Sequence, residues 1–194
     1  EADQARRLPS LEPRYRLLRL NQRVRANAEN RLVTLPVWLA NKASTDRAKL
    51  RGRKAFGALD LSGKHDLTAL VLAIPDDEPE PGFDILCHFW TPFGQLEARP
   101  AAERERFREW IDAGFLTGLP GPVVRYSAVA AEMARLATEF DLSSVAYDAW
   151  RIDDLRGDLE DIDCSVPMEA FSQSFKTMSP AIDNFAELAL LGKI

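Results

Sequence analysis

Two cysteines and two histidines are all the soft metal-binding or disulfide-forming side chains in 194 residues. Cys87 and Cys164 cannot staple a disulfide scaffold, and such sparse cysteine fits a reducing compartment. Together with His65 and His88 they give no zinc-site spacing. Long apolar runs are missing as well. The longest, such as Leu67 to Pro75, have the length of a strand and fall far short of the roughly 20 residues that span a bilayer. The opening EADQARR lacks the apolar stretch of a signal peptide and an initiator Met, so a start within a longer protein is expected. A P-loop is also missing. Gly57 and Gly63-Lys64 are wrongly spaced, and His65 stands where a hydroxyl is needed, so this chain is not expected to carry ATP hydrolysis.

What is present is a globular composition. With 46% hydrophobic and 28% charged residues, the chain is too apolar for disorder. Its size allows roughly 70% of the unfolded surface to be buried, enough for one core. The net charge of −5 conceals two unlike parts. Residues 1–54 hold 14 Lys/Arg against 5 Asp/Glu, whereas residues 55–194 hold 11 against 25. Opposite signs point to two jobs. The expected division is a basic helical connector over 1–54 and an acidic domain over 55–194.

In the connector, Leu11, Tyr15, Leu18 and Val24 fall near helical spacing, with arginines on the other faces. Those arginines fit a solvated helix face or nucleic-acid contact. Pro36 interrupts LVTLPVWLA, and KASTDRAKLRGRK reads as a linker or short helix. From residue 55 the pattern changes to strands: AFGALDLS, then LTALVLAIP, then FDILCHFW after an acidic, Pro-rich loop. Short connections predict an antiparallel meander. Helices follow at ARPAAERERFREWIDAG and RYSAVAAEMARLATEF, the second with Ala128, Ala131 and Leu136 on its apolar face. SSVAYDA reads as a strand, RIDDLRGDL as a helix and CSVPMEAF as a strand. A last helix is expected to start at Ser179-Pro180. Strands and alternating helices give an α/β fold, a mixed sheet flanked by helices.

Two acids stand out by position. Asp60 ends the first strand and Asp148 ends SSVAYD. Strand-end carboxylates on neighbouring strands suit hard divalent cations such as Mg²⁺ or Mn²⁺. A strand-end Asp also serves as a turn former or helix cap, so the pattern alone leaves both roles open.

The longer string GALDLSGKHDLTALV resembles the first nuclease motif of the large terminase subunit of tailed double-stranded DNA bacteriophages. RLLRLNQRV resembles the Leu-Asn-Gln word near the end of that family's ATPase module. HFWTPFGQL, FREWIDAGFLTGLPGPVV, VAYDAWR and FSQSFKTMSPAI resemble later words, in the family's order over roughly residues 16–182. The resemblance implies a ribonuclease H-like nuclease domain, preceded by the tail of a packaging ATPase. Asp60 and Asp148 match the first two of three metal-binding carboxylates, with Asp60 as the bridging ligand. Asp66 matches the second Asp of the first motif, either structuring the turn or joining the metal site. The third family carboxylate lies downstream of the Gly-Lys-Ile/Leu word with which this sequence ends, so a truncated, incomplete centre is expected.

The activity implied is endonucleolytic cutting of concatemeric DNA during genome packaging, by two-metal phosphodiester hydrolysis. The implied partners are double-stranded DNA, the portal, the small terminase subunit and other motor subunits. The implied setting is the host bacterial cytoplasm, with no membrane. The competing reading is a catalytically incomplete DNA-binding or assembly module. A weaker likeness of Asp60-Leu-Ser-Gly to the phosphate loop of actin-like ATPases finds no second loop later in the chain. Lys64 and Arg151 could meet DNA phosphates, or be a solvated lysine and a helix-start arginine pairing with Asp153 or Asp154. His65 reads as an exposed turn residue. Trp90, Trp110 and Trp150 read as core or core-edge, Cys87 as a buried thiol, and Phe175 and Met178 as core.

Overall fold

Period-two alternation runs through most of the segment Lys54–Pro92, and it folds as the expected antiparallel meander. Its strands are β1 (Lys54–Asp60), β2 (Thr68–Pro75) and β3 (Phe83–Pro92). In β1 the buried residues are Ala55, Gly57 and Leu59, and the exposed ones Lys54, Phe56, Ala58 and Asp60. The register Gly57↔Leu72 and Leu59↔Leu70 carries the buried set onto one face of β2. The coordinates are a computed structural model that describes residues 32–42, 46–61, 66–148 and 152–194. The chain divides into two compact units, Glu1–Lys42 and Ala43–Ile194. In the first, α1 (Leu35–Ala40) starts with Pro36 in its first turn, where a missing N–H costs nothing. The expected helix around Leu11–Val24 lies outside the described residues.

The second unit opens with the one-turn helix α2 (Arg47–Leu50), capped by the Asp46 carboxylate, which accepts from Ala48 N at 3.2 Å. After the meander come a 3₁₀ turn (Phe93–Ala98), α3 (Ala101–Asp112), β4 (Thr117–Leu119) and α4 (Tyr126–Glu139). Then follow β5 (Asp141–Tyr147), α5 (Ile152–Asp161), β6 (Met168–Ala170) and α6 (Phe175–Leu190). The strands form one six-stranded sheet in the order β4-β3-β2-β1-β5-β6. β5 lies parallel to β1 on the side away from β2, and β6 lies parallel to β5. The fold is thus a mixed sheet flanked by helices.

Helices cover both faces. α4 and α5 bury Val129, Met133, Leu136, Ile152 and Leu155 with Leu70, Leu72 and Val145 in the main core. On the other face, Leu96, Phe107 and Leu116 form a smaller cluster against Phe89, which alternates with the core residue Trp90 along β3. Several details differ from the sequence reading. Ala131 is exposed, and the buried stripe of α4 is Val129, Ala130, Met133 and Leu136. Cys87 is exposed, because the pleat turns it away from the face of Trp90. Phe175 is 93% exposed as the first residue of α6 rather than core. That helix starts after Ser174, so Pro180 lies inside it and leaves the carbonyl of the exposed Lys176 without its helical donor.

Gly94 shows how tightly the 3₁₀ turn is seated. Its N–H donates to Gly121 O at 2.9 Å, and an added Cβ would lie 2.7 Å from that same oxygen. A backbone oxygen cannot rotate away as a side chain can. Gly94→Ala is expected to cost about 1–3 kcal/mol, measured by chemical denaturation.

A chain of charges joins α2, α4 and β3. Glu139, its side chain only 10% exposed, receives Arg47 Nε at 2.7 Å and Nη2 at 2.8 Å. Arg135 bridges Glu139 to Glu132, and Glu132 lies 3.0 Å from His88 Nδ1. The two bonds from Arg47, with the one from Arg135, hold the Glu139 carboxyl down at about 2, against an ordinary 4.5. Burial pushes the His88 imidazole below its ordinary 6.5, despite the neighbouring Glu132. Both shifts act in one direction. The unfolded chain binds a proton more readily at each site, so stability is lost as pH drops, first below 6.5 for His88 and then from 4.5 towards 2 for Glu139. Glu139→Gln is expected to lower stability at pH 7 by about 2 kcal/mol through the lost charged hydrogen bonds. It should also flatten the pH dependence of the melting temperature below 4.5, as thermal scans across pH would show.

Candidate metal centre

The end of the parallel β1–β5 pair brings the two singled-out acids together. The last registered pair is Leu59↔Tyr147, both buried on the α4–α5 side. One residue on, Asp60 ends β1 and Asp148 follows β5, so the two are next neighbours across strands about 4.8 Å apart. Pleating turns Asp60 to the face opposite Leu59, where it is exposed, and continued alternation carries the half-buried Asp148 to the same face. β1 also marks where the strand order changes direction, β2 and β3 running one way and β5 and β6 the other.

Each side of the pair is held by the main core. Ala55, Leu59 and Leu61 anchor β1, and Leu142, Val145 and Tyr147 anchor β5. Tyr147 is 7% exposed and its hydroxyl accepts from Arg156 Nη2 at 2.7 Å, while its carbonyl accepts from Phe171 N at 2.8 Å. Sequence reasoning singled out neither Tyr147 nor Arg156. A spacing of nine residues across a strand–helix junction has no local signature. Asp66 is exposed just before β2, with Oδ1 accepting from Leu67 N at 2.9 Å. Among the described residues, no group of three or more His, Cys, Asp or Glu side chains is arranged to hold a metal ion. Lys64, His65, Trp150 and Arg151 lie outside the described residues. No described helix is long and apolar enough to cross a membrane.

The donor set at this sheet end is two carboxylates, which are hard oxygen ligands. It fits Mg²⁺ or Mn²⁺, cations that commonly take one or two carboxylates and complete their shells with water and substrate phosphate.

Comparison with known proteins shows which family this fold belongs to. Residues 16–194 match the family described as terminase large subunit, endonuclease domain. The chain is 39% identical to the large terminase subunit of Enterobacteria phage HK97 over 195 aligned positions, covering 100% of this chain and 37% of that protein. The crystal structure of the HK97 bacteriophage large terminase superimposes with a TM-score of 0.74 over 99% of this chain and 39% of that one. The chain therefore spans well under half the length of these relatives. With a family match over most of its length and a structural match over 99% of it, the chain belongs to the terminase large subunit endonuclease family and has its ribonuclease H-like fold.

Proposed function

We propose that this domain cuts double-stranded DNA by metal-dependent phosphodiester hydrolysis, with Asp60 and Asp148 as its metal-binding carboxylates. The observation that carries the reading is their adjacency at the end of a parallel strand pair, one residue past Leu59↔Tyr147. Two bound Mg²⁺ or Mn²⁺ ions would activate the attacking water and stabilise the leaving 3′ oxygen. Asp60, at the end of β1, and Asp148, just past β5, would together hold the ions. Asp66, six residues after Asp60, is a further carboxylate that would join the metal site or structure the chain before β2. Lys64 and Arg151 are assigned to phosphates beside the centre, contacts that position a duplex without reading its sequence. Without cations the paired carboxylates repel a phosphate, so binding of DNA at this end requires the metal first.

In the full-length protein the substrate is concatemeric phage DNA. The partners are the portal, the small terminase subunit and neighbouring motor subunits, in the host bacterial cytoplasm. Supercoiled plasmid incubated with the protein and Mn²⁺ tests the reading. Nicking that chelation abolishes supports it. Salt-sensitive plasmid binding with no nicking at any Mn²⁺ concentration would instead favour the non-enzymatic assembly module.

A further inference from the structure

Asp148 stands one residue beyond the last rung of its strand. Tyr147 is the final β5 residue paired with β1, through Leu59, and with β6, through Ala170. Asp148 then leads to Ile152, the first residue of α5, whose Ile152, Leu155 and Leu159 are buried in the main core. A polar contact between described residues joins the two sides of this short connection. Arg156, in the second turn of α5, donates from Nη2 to the Tyr147 hydroxyl at 2.7 Å, and its guanidinium carbon lies 5.3 Å from the centre of the Tyr147 ring. The guanidinium thus engages both the hydroxyl and the face of one buried ring. Its neighbour Asp153, 4.0 Å away, is 95% exposed and adds little.

We propose that the Arg156–Tyr147 contact is a positioning device for the metal centre: it ties the end of β5 to the start of α5 and so fixes Asp148 in register with Asp60. The inference rests on the metal-binding reading of those two aspartates. Its physical basis is the tolerance of a metal site, where ligands must be held within about 0.5 Å by surrounding bonds. Tyr147 faces the helices while Asp148 faces the other way, so Arg156 acts through the backbone and touches neither metal nor substrate. The arginine matters for its fork as well as its charge, since a lysine could bond the hydroxyl but would stack poorly on the ring.

The test is Mn²⁺ affinity, measured by calorimetry or electron paramagnetic resonance on the whole chain, with thermal unfolding of each metal-free variant alongside. Tyr147→Phe keeps the ring and removes only the hydroxyl. Arg156→Gln alters a half-exposed helix residue, which leaves folding intact. Each is expected to weaken Mn²⁺ binding about 3- to 10-fold, and the double variant no more than the stronger single one, because one contact is lost in all three. Arg156→Lys should recover part of the loss. Wild-type affinity in both single variants overturns the positioning role even if their melting temperatures fall, and so do losses that multiply in the double variant. Asp148→Asn separates the two levels. If it too binds Mn²⁺ as the wild type does, the metal-binding reading fails and takes this proposal with it. If it loses binding while Tyr147→Phe keeps it, only the positioning role is wrong.

Discussion

Asp60→Asn and Asp148→Asn are each expected to abolish Mn²⁺-dependent nicking of supercoiled plasmid, by about a thousandfold or more. The substitution keeps the shape of the side chain and removes its charge. A metal contribution of several kcal/mol to the transition state corresponds to about three factors of ten in rate at roughly 1.4 kcal/mol each. Asp60 is exposed and Asp148 half-buried, and both lie where strands end, so neither supports the core. The metal-free melting temperature of both variants should therefore hold or rise slightly, since one of two neighbouring like charges is gone. Loss of activity with retained stability is the signature. Nicking that survives in both variants would remove the assignment. The pair should also behave as a unit, with the double variant no worse than either single one.

The largest expected stability effect lies on the α4–α5 side of the sheet. Leu155 is 0% exposed and packs between α5 and the core residues beneath it. Leu155→Ala removes that contact and leaves a cavity, at a cost of about 2–5 kcal/mol. For a domain of this size that is a fall in melting temperature of roughly 5–15 °C. Leu190, 69% exposed near the end of α6, provides the contrast, and its replacement by Ala should cost less than about 0.5 kcal/mol. Denaturant titrations of both variants would measure the difference. Equal effects would mean that α5 is not anchored where the core places it.

Much of this layout was legible before any coordinates. The strands ending at Asp60 and Tyr147 carry clear alternation or short apolar runs, and punctuation by Gly63, Pro75 and Gly82 marked the meander. The pairing of β1 with β5 was not. Their parallel register depends on a crossover through α4, which no local pattern encodes, and the resemblance to phage terminases filled that gap. β4, only three residues long, was missed because so short a strand has no period. Cys87 misled because an apolar strand looks buried on both faces, whereas the pleat leaves this residue exposed. Ser179-Pro180 misled because a Ser-Pro pair looks alike at a helix start and inside a helix that begins five residues earlier, after Ser174. In the sequence Gly57 figures only as a wrongly spaced P-loop glycine. In the fold it is a requirement of close packing, since a Cβ there would lie 2.8 Å from Val145 Cγ2. The contact between Arg156 and Tyr147 needed the tertiary structure, because only helix–sheet docking brings the two together.

The most direct test of the central claim is anomalous scattering from crystals of this protein grown with Mn²⁺. The account expects manganese at the end of β1 and β5, bound by the carboxylates of both Asp60 and Asp148, with Tyr147 and Arg156 still in contact behind them. Manganese bound elsewhere, with none at these two carboxylates at a concentration that supports plasmid nicking, would contradict it.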